Sequence, residues 1–201
     1  MSPQHVNART RGALRKLAEE LHAKDAHYRR AMNADFVIYL LVVLLVAFSI
    51  RLFVGEPVLI EGESMYPTLH NGERVVLEKL TYYVQEPARG DIVVCFYPGH
   101  AVSRVKRVVG LPGERVAIKY GAVYINGGQL DERAYWNGEI FGDMEERLVP
   151  EGAVFVMGDN RNHSTDSREL SVGFIPYEKI LGRAVLVFWP PDDARTDRHV
   201  T

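Results

Sequence analysis

RVAIKYGAVYINGG, residues 115–128, decides the fold class. It holds two strand-length apolar runs, Arg115–Tyr120 and Ala122–Ile125, and the second ends in Asn126-Gly-Gly. Asn-Gly supplies the positive φ angles that a tight turn demands, so Tyr124-Ile-Asn-Gly-Gly reads as a hairpin. The same rhythm extends both ways. Short apolar runs recur at Val58–Ile60, Arg74–Leu80, Asp91–Tyr97, Ala101–Val109, Ala153–Met157 and Arg183–Trp189, punctuated by His70-Asn-Gly, Pro98-Gly and Leu111-Pro-Gly. Only Pro176–Leu181 predicts a short helix there. The expectation for residues 55–191 is a mostly β domain of small linked antiparallel sheets or a distorted barrel.

Ahead of the strands the pattern changes. FVIYLLVVLLVAFSIRLFV (36–54) is apolar except for Ser49 and Arg51, and its first thirteen residues leave no polar face. At ~1.5 Å per residue this run makes roughly 28 Å of helix, the thickness of a bilayer's hydrocarbon core. The run starts too late and is too long for a cleaved secretory signal, and VGEPVLIEGESM lacks a small-x-small cleavage site. A transmembrane helix over 34–54 is therefore expected.

Residues 1–33 carry seven Lys/Arg against Glu19, Glu20 and Asp25, a net +4. Asp35 and Arg51 cancel, so the total of −2 leaves −6 for residues 52–201. The basic side predicts a cytoplasmic 1–33 and an extracytoplasmic β-domain. Leu14, Leu17 and Leu21 fall at helical spacing, as in a short amphipathic helix lying along the membrane. Residues 192–201 read as a polar tail. No basic stripe crosses the acidic larger part, which excludes nucleic acid as a natural partner. Cys95, the single cysteine, reads as a core residue and allows no internal disulfide; no Cys/His spacing or HExxH predicts a metal or cofactor.

GESMYPTLHNGERV (62–75) places Ser64 in a turn-rich loop ten residues past Val54. A histidine-based triad finds little support. His5, His22 and His27 precede the span, His199 is in the tail, His70 and His100 sit in turns, and His163 lacks an orienting partner; G-x-S-x-G fails at Tyr66. A lysine can activate a serine instead, provided burial lowers its pKa from near ~10.4 to roughly 7–8. The lysine must then sit in an apolar strand. Lys106, between Val105 and Arg107 with Val108 on its own face, meets that condition better than Lys79 or Lys119, which border turns. On spacing alone, a strand lysine is usually a solvated face or an edge-strand gatekeeper, and Ser64 a turn serine.

ESMYPTL (63–69), GDIVVCF (90–96), KRVVGLPGE (106–114) and GDNRNHSTDSR (158–168), in this order behind one amino-terminal span, resemble bacterial type I signal peptidase over roughly residues 36–190. The resemblance implies a membrane-bound serine endopeptidase whose substrates are exported preproteins, cut after Ala-x-Ala-like motifs. It implies Ser64 as nucleophile, Lys106 as general base, and Ser164 as the serine that hydrogen-bonds and orients the lysine. Asp159, Asp166 and Arg168 match residues that hold the last box in shape. The oxyanion hole is implied to use the Ser64 backbone N–H, helped in some members by a hydroxyl two residues earlier. Gly62 stands at that position, so the side-chain donor is missing. Lys106, where a related branch has histidine, points to the bacterial type, and about forty-four residues between GLPGE and GDN to its compact form. A processing peptidase with one dedicated substrate and a non-catalytic membrane-anchored β-domain remain as alternatives. Substrate repertoire and oligomeric state are not legible.

Overall fold

The computed structural model describes residues 8–49, 51, 55–190 and 198–199. It divides into two compact units, one ending at Ile50 and one starting at Arg51.

In the first unit, Ala8–Ser49 is one helix, α1, of 42 residues. The expected short amphipathic helix is thus not a separate element. From Ala13 to Ser49 the chain has no glycine or proline to end a helix, and Ala and Leu favour its propagation. Leu14, Leu17 and Leu21 are exposed, as are the large apolar side chains from Phe36 to Phe48. Ser49 Oγ donates to the Leu45 carbonyl at 2.8 Å and so satisfies its own polar group within the helix. Among the described residues no helix is long and apolar enough to cross a membrane. The continuous apolar part, Phe36–Phe48, reaches only about 20 Å. Positions 50 and 52–54 of the expected span lie outside the described residues.

The second unit is mostly β-structure, with one unexpected helical turn at Thr81–Val84. Its strands among the described residues are β1 (Gly55–Leu59), β2 (Arg74–Glu78), β3 (Ile92–Phe96), β4 (Ser103–Gly110), β5 (Arg115–Lys119), β6 (Ala122–Ile125), β7 (Gly128–Gln129), β8 (Met144–Leu148), β9 (Ala153–Met157), β10 (Ile175–Pro176), β11 (Ile180–Trp189) and β12 (Arg198–His199). Every pairing is antiparallel. The larger sheet runs β1-β2-β11-β3-β4-β9-β10, with β12 against β11, and the smaller runs β7-β6-β5-β8. The mostly β expectation holds as two linked antiparallel sheets. The turn residues behave as expected: Asn126 and Gly127 take φ of 52° and 83°, and Ile125 pairs with Gly128 across them. Pro176–Leu181 gives only a single 3₁₀ turn at Tyr177–Lys179 before β11 begins. His199, expected in an unstructured tail, pairs with Leu186 on β11.

Two core clusters position the site. Ile60, Met65, Leu69, Val75, Ile92 and Val187 form one, which seats the β1–β2 connection. Val93, Cys95, Val108, Val154, Val156 and Ile175 belong to the other, which lies on one face of β3, β4 and β9. Cys95 is fully buried, as expected, and its burial pushes the thiol pKa up to about 12.

Candidate active site

Ser64 lies in the connection between β1 and β2. Met65 and Leu69, on its C-terminal side, are buried in the core, and the Leu69 N–H donates to the Met65 carbonyl at 2.9 Å. Burying each such side chain stabilises the loop by about 1.5–3 kcal/mol, which keeps the serine from wandering.

Lys106 pairs across to Val93 on β3, so by strand alternation it shares a face with Cys95 and Val108. That apolar face leaves the lysine 3% exposed. Its Nζ is 2.7 Å from Ser64 Oγ and donates to the Val105 carbonyl at 3.0 Å. Burial lowers its pKa to about 8, against the opposing pull of the Asp166 carboxylate, which favours the ammonium. Lys79 instead reaches Glu56 at 3.3 Å, and Lys119 is exposed.

Arg107, the next residue, turns to the opposite face and is equally buried. Its Nε and Nη2 donate to the two carboxylate oxygens of Asp159 at 2.8 and 2.7 Å, its Nη1 donates to the Gly90 carbonyl at 2.8 Å, and its guanidinium lies 4.1 Å from the centre of the Tyr135 ring. Asp159 also accepts from Thr68 Oγ1 at 2.5 Å. One carboxylate thus ties the serine loop to the lysine strand. The following residue completes the attachment: the Asn160 N–H donates to the Ser64 carbonyl at 3.0 Å, and Asn160 Nδ2 donates to the Glu63 carbonyl at 3.1 Å.

Asp166 and Arg168 brace the same segment. Arg168 donates through Nε and Nη2 to Asp166 at 2.7 and 2.8 Å, Asp166 accepts from the Gly158 N–H at 2.9 Å, and Arg168 Nη2 donates to the Ser164 carbonyl at 3.2 Å. Gly158 is needed for space. A Cβ there would lie 2.4 Å from the Ser64 carbonyl oxygen and 2.3 Å from Ser164 Oγ. Ser164 is therefore beside the serine loop, yet it does not hydrogen-bond Lys106; its Oγ is buried without a partner among the described residues. The expected lysine-orienting contact is absent: Ser164 Oγ has no partner among the described residues, and with the Ser64 carbonyl oxygen it borders the space that a side chain at position 158 would fill.

The Ser64–Lys106 pair opens into a cleft of about 630 Å³ walled by Val58–Met65 on one side and Val102–Val105 on the other, with Tyr97 and Val172 between. Among the described residues no histidine hydrogen-bonds Ser64: His163 is exposed and its Nδ1 is 3.3 Å from Asn160 Oδ1.

The family model described as "Signal peptidase, peptidase S26" matches residues 33–189. The chain belongs to the signal peptidase family, peptidase S26. Signal peptidase I T of Bacillus subtilis (strain 168) is 40% identical over 165 residues, 78% of this chain and 85% of that protein. A probable signal peptidase I-2 of Synechocystis sp. is 42% identical over 159 residues, 73% of this chain and 68% of that protein. A crystal structure of a signal peptidase I from Enterococcus faecalis V583 is 34% identical and covers 50% of this chain and 97% of that one, with a TM-score of 0.44. The chain is thus a peptidase of the signal peptidase I type.

Two further features complete the site. Gly62, at φ +88°, spends its N–H on Asn71 Oδ1 at 2.9 Å, whereas the Ser64 N–H has no hydrogen-bond partner among the described residues. Thr68, Arg107, Gly158 and Asn160 hold the site together, and sequence reasoning gave them no role. All four lie inside the quoted boxes, so their position beside Ser64, Lys106 and Asp159 was the available signal.

Proposed function

We propose that this chain is a membrane-anchored serine endopeptidase that removes N-terminal signal peptides from exported preproteins, cutting after small-x-small motifs of the Ala-x-Ala kind, with Ser64 as nucleophile and Lys106 as general base. The observation that carries this reading is the 2.7 Å approach of Lys106 Nζ to Ser64 Oγ in a cleft where burial brings the lysine to a pKa of about 8. A non-catalytic β-domain offers no reason for a buried lysine to end on a serine.

With Lys106 neutral, the Ser64 hydroxyl donates to Nζ. The oxygen attacks the scissile carbonyl carbon as its proton passes to the lysine, and the tetrahedral oxyanion is met by the Ser64 N–H, with no side-chain donor at Gly62. Breaking the C–N bond sends that proton from Lys106 to the leaving amine. The lysine, neutral again, takes a proton from water as it attacks the acyl ester and frees Ser64. Ser164, buried and unpartnered, is the hydroxyl available to steady Lys106 as its charge changes. Asp159, Asp166 and Arg168 act as positioning residues.

The cleft suits an extended substrate. Among the described residues β1 pairs only with β2, and β4 pairs with β9 only from Arg107 onward, so Val58–Leu59 and Ser103–Val105 each leave one backbone edge unpaired there. A peptide strand laid there gains main-chain hydrogen bonds, and alternate side chains point into the shallow walls, which favours small residues. The anchor is α1, whose exposed apolar side chains from Phe36 onward rest in lipid over 34–54, with the basic residues 1–33 on the cytoplasmic side and the β-domain outside.

The test uses the full-length chain in detergent and a preprotein with an Ala-x-Ala site. Ser64→Ala and Lys106→Ala each abolish cleavage, while His163→Ala retains most of it. Activity surviving in either of the first two removes the mechanism.

A further inference from the structure

A second cleft, also about 630 Å³, lies on the far side of the serine loop. Its walls are Tyr66 and Pro67, from the loop itself, and Arg133–Gly138, from the long connection between β7 and β8. It shares Glu63 and His163 with the Ser64–Lys106 cleft, so the two hollows form one path that passes over the serine loop.

The far wall is built rather than draped. Glu132 and Arg161 form a buried ion pair at 2.7 Å, Tyr135 lies against the buried Arg107, and Asn162 accepts from the Phe141 N–H and donates to the Glu139 carbonyl, each at 2.9 Å. Trp136 is backed by Gly138, where a Cβ would come within 2.8 Å of the indole. The wall therefore hangs on Arg107 and Arg161, which flank Lys106 and Asn160 in sequence. Its chemistry differs from the first cleft: Tyr66 (51% exposed) and the half-buried Trp136 offer aromatic faces instead of open strand edges.

We propose that the cleft between Tyr66 and Trp136 binds the first residues of the mature chain, those just after the scissile bond, and selects apolar or aromatic side chains among them. This rests on the signal-peptidase reading above, since it takes the Ser64–Lys106 cleft as the place where the signal peptide's last residues lie. A chain cut at Ser64 continues past Glu63 and His163, and this hollow is what it meets. Two aromatic side chains lining one hollow give an apolar or aromatic residue surface to pack on, and rings with few rotatable bonds lose little entropy in doing so.

The experiment compares two peptides with one signal segment: the first ends in a simple amide at the scissile bond, the second continues with four mature residues including a phenylalanine. For the unaltered protein, the longer peptide has the lower KM. Trp136→Ala raises that KM by about three- to tenfold, the range for one lost aromatic contact, and leaves kcat on both peptides and KM on the short one unchanged. Trp136→Phe restores most of the difference. Equal KM for the two peptides with the unaltered protein, or equal loss on both in Trp136→Ala while Trp136→Phe stays normal, overturns the assignment. Cleavage of neither peptide by the unaltered protein instead overturns the signal-peptidase reading itself.

Discussion

Asp159 holds Arg107 through both carboxylate oxygens, at 2.8 and 2.7 Å, and neither residue is more than 1% exposed. Arg107 follows Lys106 in the chain, and Asp159 precedes the residue that binds the Ser64 carbonyl. The ion pair thus joins the strand of Lys106 to the loop of Ser64. Asp159→Ala leaves a buried guanidinium uncompensated and lowers stability by about 3–5 kcal/mol, read from the denaturant midpoint. Arg107→Lys loses the bidentate fork and destabilises too. A midpoint unchanged by either substitution would mean the pair holds nothing.

The pH profile follows from Lys106. Only its neutral form is a base, so kcat/KM rises with pH through a limb centred near 8. Stability has the same sign. The folded-state pKa lies below the ordinary lysine value of 10.5, so the buried ammonium costs stability fully below pH 8, and the cost fades between about 8 and 10.5. Lys106→Met therefore abolishes cleavage yet raises stability at pH 7, by on the order of 3 kcal/mol at most. A destabilised Lys106→Met would contradict the burial argument.

Gly158→Ala probes close packing. The added methyl would sit 2.4 Å from the Ser64 carbonyl oxygen, a backbone atom that cannot swing aside as a side chain can. Displacing Ser64 by about 1 Å costs up to about 100-fold in kcat, and single-turnover kinetics reads it directly. Unimpaired turnover would show that the serine loop tolerates the shift.

Ser164→Ala separates folding from catalysis. Its buried hydroxyl has no partner here, so removing it leaves stability unchanged or slightly higher. If the hydroxyl steadies Lys106 during the reaction, kcat falls about tenfold or more while the melting temperature holds. Equal kcat in the two proteins removes Ser164 from the mechanism.

The strands were readable where apolar runs met turn residues: β6 spans the expected Ala122–Ile125, and β9 the expected Ala153–Met157. β8 (Met144–Leu148) was not, because Glu145, Glu146 and Arg147 leave it one buried side chain, Met144. Pairing Ser64 with Lys106 needed the resemblance, since 42 residues of sequence separate them and neither spacing nor composition links them. The buried charges were hidden for a related reason. Charged residues read as surface until a partner is known, and the partner of Arg107 is 52 residues away and that of Arg161 is 29. The wall around Trp136 has no periodicity at all, so only folding onto those arginines brings it to the site.

The open edges of β1 and β4 have a bearing on how the protein behaves when idle. An unpaired strand edge accepts any extended chain, including the edge of a neighbouring copy. Glu61, Glu63 and Arg104 line the cleft that these edges border, and charges there discourage a folded sheet from docking while a single narrow peptide still slips between them. The open edge that suits an extended peptide is thus also one along which two copies can pair, and the charged rim opposes that pairing.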